Sequence, residues 1–246
     1  ATNLAGVGVA FYLLMDLQRA LREQGVAASA PITDLLDLVA LGTVADVVVL
    51  DAGVAADLPP NPALRSVKVG KGTANMAVGP AMTREQAIQC LETGIKTAQE
   101  LIESGTDLIA CGDMGIGNTT PSSAITAVVT GTEPSVTTGR GTGLVDEALA
   151  NKISVVRRAL EVNQPNSKDG LDILSKVGGF EIGVLAGAML GCASRRRPVV
   201  VDGFISGAAA LIAFAPLTAR ADITAFCRVL PGTNANQCAC ATEKLR

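Results

Sequence analysis

The chain has no histidine and no tryptophan, one tyrosine and five phenylalanines in 246 residues. Without histidine there is no Ser-His-Asp triad, no His-ligated zinc, no His phosphotransfer and no His general base. Acid–base work must fall to Asp, Glu, Lys, Cys or Tyr12. Aromatics at 2% leave no stacking platform for single-stranded nucleic acid, and the core must be built from Ala, Val, Leu and Ile. Charge is also sparse. Charged residues are 17% and the net charge is −3. That is too little charge for a coiled coil, and the sign opposes the basic footprint of a nucleic-acid binder. No nucleic-acid partner is expected.

What is abundant is apolar, at 48% of residues. A chain of this length and composition buries a sizeable core and is not disordered. Six cysteines (Cys90, Cys111, Cys192, Cys227, Cys238, Cys240) follow no framework spacing, so they read as cytosolic thiols. The Cys238/Cys240 pair lacks the further ligands a metal needs, and no metal or cofactor is expected. The mean hydropathy of +0.39 raises the question of a membrane. Residues 4–15 lack a basic flank and a cleavage site. Residues 181–193 are too short to span a bilayer. Residues 198–219 are interrupted by Asp202, Gly203, Ser206, Gly207 and Pro216. The expectation is a cytoplasmic protein with no membrane contact.

Hydrophobic spacing predicts a helix within the first thirty residues and another over 33–41, then a buried strand over 45–50 and a short strand over 66–69. Thr83 with Gln86 forms a capping box for a helix running to about Glu103. A strand over 106–111 precedes a glycine loop, and Thr120–Pro121 opens the next helix. Further helices are expected over 144–162, 171–177, 180–193 and 205–214, with a strand over 198–201. Strands alternating with helices predict an α/β fold: a parallel sheet with helices on both faces, Rossmann-like and three-layered. The expected division is an N-terminal segment 1–50 packed on the core, an α/β domain 51–226 and a tail 227–246.

Three segments carry chemistry. The first is "CGDMGIGNTT" over 111–120, between a strand and a helix. Ligands of parallel α/β folds sit beyond strand C-termini, and the following helix favours an anion. Gly112, Gly115 and Gly117 permit close backbone approach, Asn118 and Thr119 open the helix, and Asp113 supplies a carboxylate. A plain strand-to-helix turn explains the loop equally well. The second is "GRGTG" over 139–143, with Gly141 and Thr142, followed by Lys152. A glycine nest plus an ammonium suits phosphate. The third is "VDGF" over 201–204, where Asp202 stands at a strand end with Ser206 nearby. "SKVGGFE" adds the pair Gly178–Gly179 ahead of a helix.

These segments, with "KVGKGTANMAVGPAMTREQA" and "NKISVVRRALEVNQPNSKDGLDILSKVGGFEI", resemble the nicotinate-nucleotide–dimethylbenzimidazole phosphoribosyltransferases of CobT type over about 50–220. The resemblance implies a cytosolic homodimer. It implies transfer of phosphoribose from nicotinate mononucleotide to 5,6-dimethylbenzimidazole, giving α-ribazole phosphate and nicotinate for the lower ligand of cobalamin, without metal. It implies that Gly115, Gly141, Thr142 and Lys152 hold the 5′-phosphate. Asp113 would stabilise the developing positive charge, and Gly178, Gly179, Asp202 and Ser206 would line the nucleotide pocket. Asp113 stands where the family usually has Glu. The family's Asp-His-Gly segment and its C-terminal glutamate, the general base, have no counterpart, so the fold is expected to be truncated relative to the family. That absence keeps a second expectation open: a non-catalytic nucleotide-binding or purely structural remnant. Residues 3–51 instead resemble part of a RecJ-type DHH phosphoesterase, in which Asp46 would belong to a two-metal site. Alone it cannot form one.

Overall fold

The computed structural model describes residues 47–113, 115–141 and 145–215. The predicted elements within 1–46, the tail 227–246, Asp46 and Thr142 lie outside them. Described residues 47–50 and 61–65 belong to one compact unit and the other described residues to a second.

β1 (Val49–Asp51) and β2 (Leu64–Ser66) pair as a two-stranded sheet. The strand expected over 45–50 as buried is corrected here. Val47 is 65% and Val49 47% exposed. An apolar, β-branched run favours a strand, but two strands alone cover little of either face. The buried member is Asp51, whose carboxylate pairs with Lys68 at 2.6 Å and accepts from Gly53 and Val54 N–H. Burial opposes that charge, but the Lys68 and backbone hydrogen bonds outweigh it and hold the carboxyl below its ordinary range. β2 falls two residues ahead of the expected strand over 66–69.

α1 (Arg84–Glu103) opens on the expected box: Gln86 N–H donates to Thr83 Oγ1 at 3.2 Å, and Thr83 N–H donates to Gln86 Oε1 at 2.9 Å. β3 is Ile109–Cys111 and β4 is Val199–Val201. They pair in parallel in the register Ile109↔Val199, Ala110↔Val200 and Cys111↔Val201. α2 (Thr119–Thr130) starts earlier than Thr120–Pro121 suggested, because Asn118 is its N-cap and Pro121 falls inside the first turn. The short α3 (Pro134–Thr137) was not anticipated. α4 (Asp146–Asn163), α5 (Gly170–Val177), α6 (Phe180–Ser194) and α7 (Gly203–Phe214) complete a mixed α/β fold with parallel strands.

The core follows from the missing aromatics. Its largest fully buried side chains are Ile125, Ile173, Leu174 and Ile182, and Ala fills most remaining positions. Small residues bring helices close, and α1 against α6 is the most extensive contact. Gly183, Gly187 and Gly191 recur at one helical face of α6. A Cβ on Gly187 would stand 2.1 Å from Leu91 O, and one on Gly94 only 2.0 Å from Val184 O. The two backbones are therefore in direct contact. Cys90, Cys111 and Cys192 are free and buried. Burial pushes Cys90 and Cys111 up to about 12. Among the described residues no helix is long and apolar enough to cross a membrane.

Candidate active site

β3 ends at Cys111 and the chain enters the glycine loop. Gly115 and Gly117 have φ of 71° and 80°, a region that side chains other than glycine rarely adopt. Asp113 Oδ1 accepts from Gly115 N–H and from Asn118 Nδ2, both at 2.7 Å. The loop thus closes on its own carboxylate. Asn118 is the N-cap of α2, yet its side chain makes no cap bond, because the carboxamide is engaged with Asp113. Asn118 is 7% exposed, and its Oδ1 has no hydrogen-bond partner.

Beside this loop, Lys152 reaches across from α4. Its Nζ donates to Thr119 Oγ1 at 2.9 Å and to Gly139 O at 3.1 Å. Gly141 has φ of 56°, and a Cβ on it would lie 3.7 Å from Thr119 Oγ1 and 3.9 Å from Lys152 Nζ. So Thr119, Gly141 and Lys152, distant in sequence, meet at the first turn of α2. Burial lowers the Lys152 pKa from its ordinary value. Thr138, next to Gly139, has a buried hydroxyl without a partner. An ammonium beside a helix N-terminus is an arrangement that suits an anion.

A residue that the sequence reading passed over completes the arrangement. Glu181, in the first turn of α6, is the only carboxylate of a helix otherwise built from apolar and small residues. Burial raises its pKa, its own backbone N–H draws it partly back, Asp113 repels it, and the Asn118 amide favours its charged form. A Cβ on Gly179 would stand 2.3 Å from Glu181 Oε1, so the bare Gly179 backbone seats the carboxylate. The signal was present in "GGFE": an acid inside an apolar helix.

The other expected residues fall into two groups. Ser206 is fully buried, and its Oγ donates to Cys111 O at 2.9 Å. Asp202 N–H donates to the same carbonyl at 3.2 Å. Both pin the end of β3, where the glycine loop begins, and the Asp202 side chain is exposed. Gly178 is buried against Leu174, and Gly112 is exposed with no atom near its Cβ position. A separate cleft of about 570 Å³, lined by Ala81, Met82, Gln86, Lys176 and Phe180 among others, includes none of the expected residues. Among the described residues no group of three His, Cys, Asp or Glu is placed to hold a metal ion.

A family profile described as phosphoribosyltransferase matches residues 26–235. The chain is 59% identical over 169 residues to the nicotinate-nucleotide–dimethylbenzimidazole phosphoribosyltransferase of Chloroflexus aggregans, covering 69% of this chain and 48% of that protein. To the protein of the same name from Desulforamulus reducens it is 52% identical over 190 residues, 76% of this chain and 54% of the relative. The crystal structure of CobT from Thermus thermophilus superposes with a TM-score of 0.67 and 38% identity, over 86% of this chain and 60% of that one. The chain spans about half the length of the curated relatives it matches. The profile match begins at residue 26 and so overlaps the stretch 3–51. The RecJ-type likeness of that stretch gains no support.

Proposed function

The chain belongs to the phosphoribosyltransferase family, and from that premise we propose that it transfers phosphoribose from nicotinate mononucleotide to 5,6-dimethylbenzimidazole, in making the lower ligand of cobalamin. The relatives' names carry the reaction. The observation that brings it to this chain is the meeting of Lys152, Thr119 and Gly141 at the start of α2. The 5′-phosphate sits there, held by Lys152 and by backbone donors. With the phosphate anchored, C1′ of the ribose is held in one place. The bond from C1′ to the nicotinate ring nitrogen breaks, and its electron pair returns to that ring. A lone pair on the azole nitrogen forms the new bond, and the proton on the other azole nitrogen passes to solvent water. Positive charge builds at C1′ in between, and the Asp113 carboxylate stabilises it. Both loop hydrogen bonds use Asp113 Oδ1, which leaves Oδ2 for this task. Gly112, Gly115, Gly117, Gly178, Gly179 and Asp202 shape the pocket, Thr142 belongs to the phosphate loop, and Ser206 braces the start of the Asp113 loop through the Cys111 carbonyl.

The same reading includes a cytoplasmic homodimer and the division into segments 1–50, 51–226 and 227–246. Titration calorimetry with nicotinate mononucleotide tests its core. The parent chain binds, and Lys152→Ala weakens binding about tenfold or more, the worth of a charge-assisted contact. A parent that does not bind, or a variant that binds as tightly as the parent, overturns it.

A further inference from the structure

The Asp113 carboxylate is fixed by one oxygen and open at the other. Oδ1 accepts from Gly115 N–H and from Asn118 Nδ2, both at 2.7 Å. Among the described residues Oδ2 has no hydrogen bond and the carboxylate no ion pair. Gly112, Asp113, Ile116 and Gly117 are all exposed. No atom beyond the chain neighbours lies within 4 Å of where a Cβ would stand on Gly112, Gly115 or Gly117. Solvent therefore reaches this loop along its length. The carboxylate is also tied to the anion site. Asn118 holds Asp113, and the next residue, Thr119, accepts from Lys152 Nζ at 2.9 Å. Consecutive Cα atoms are about 3.8 Å apart. Carboxylate and ammonium thus attach to adjacent residues of one turn, a spacing that suits the two ends of a ribose 5-phosphate, with phosphate at one and C1′ at the other.

We propose that the same site hydrolyses the pyridinium nucleotide when no azole is present, with water attacking C1′ and the open Asp113 Oδ2 taking the water proton. The proposal rests on the nucleotide reading above and adds a second activity to it. The bond from C1′ to the ring nitrogen breaks, and its electron pair returns to nicotinate. A lone pair of the water oxygen forms the new bond to C1′. One water proton passes to Asp113 Oδ2 and from there to solvent. The products are ribose 5-phosphate, nicotinate and that proton. A transferase that closes over its substrate excludes water and so suppresses this reaction. Here, among the described residues, the loop that carries the carboxylate is uncovered. A base held by two hydrogen bonds in such a place is positioned for general-base catalysis, worth about a hundredfold or more.

Stereochemistry separates this reaction from spontaneous hydrolysis. With the phosphate held at Lys152, only one face of C1′ is open to the nucleophile, the face opposite the departing nicotinate. A small alcohol enters where water enters and leaves a product that does not re-equilibrate. Methanol therefore yields methyl riboside 5-phosphate of inverted configuration in the site. A nucleotide that ionises free in solution is open on both faces and yields both anomers.

The experiment incubates the parent and Asp113→Asn, purified in the same way, with nicotinate mononucleotide and no azole. Chromatography follows nicotinate and ribose 5-phosphate, calorimetry measures binding and melting curves confirm folding. Asparagine keeps the Oδ1 acceptor for Gly115 and Asn118 and replaces Oδ2 with an amide that takes up no proton. The parent releases nicotinate and ribose 5-phosphate in equal amounts, and Asp113→Asn does so about a hundredfold more slowly, with a far smaller change in affinity. Should Asp113→Asn not fold, methanolysis by the parent decides: a single inverted anomer supports the proposal and a mixture overturns it. A parent that binds the nucleotide yet releases nicotinate no faster than a protein-free control overturns it. So does equal release by the two proteins. Failure of the nucleotide reading appears separately, as a parent that does not bind.

Discussion

Glu181 carries a charge that burial in the folded protein disfavours. Its carboxyl is raised in the folded protein above its ordinary value, chiefly by burial. A group shifted that way lends stability below its unfolded pKa, about 4.3, and loses it as pH rises through the folded value. Glutamine keeps the shape and has no charge to bury. The melting temperature of the parent should therefore fall relative to that of Glu181→Gln as pH goes from about 4.5 to 7.5. A calorimetric scan series reads this, and parallel pH profiles for the two proteins would refute it. The paired residues Asp113 and Asn118 were legible in the sequence because they stand five apart in one loop. Glu181 stands far from them along the chain, and although an acid in an apolar helix marks it as unusual, no local pattern ties it to that loop.

At the scale of elements, α1 and α6 depend on glycine for their spacing. The Cβ of Gly187→Ala would meet Leu91 O at 2.1 Å, and a backbone carbonyl cannot swing aside. The helices must separate, at a cost of about 1–3 kcal/mol or more. In α7, Gly207 has open space where its Cβ would stand, and its φ is ordinary. Gly207→Ala should gain about 0.5–1 kcal/mol from helix propensity. Urea unfolding of the two variants should move their midpoints in opposite directions. Equal shifts would show that the close helix contact carries no weight. The capping box of α1 was readable from Thr83 and Gln86 alone, since it is a local pattern. The helix crossing was not, because "EIGVLAGAMLG" says only that one face is small.

For the molecule as a whole, the proposed homodimer is open to direct measurement. Ile116, Val136 and Val145 are apolar and 76%, 69% and 70% exposed, a feature that favours association. Sedimentation equilibrium should return twice the chain mass of 25.0 kDa. A mass that stays at one chain across concentration would remove the dimer from the reading.

The local chemistry of this protein is written along its sequence. The absence of histidine restricted acid–base groups to Asp, Glu, Lys, Cys and Tyr12. The glycine loops, the capping box, the helices from 84 to 214 other than the short α3, and the family likeness follow from patterns within a few residues of one another. Propensity and periodicity act over those distances. Tertiary structure decided which of the pieces meet. It brought Lys152 to Thr119 and Gly141. It turned Ser206 inward to the Cys111 carbonyl, and it left Val47 and Val49 in solvent. Contacts between distant segments depend on how whole helices pack, and here that is set by glycines whose only statement in the sequence is a missing side chain.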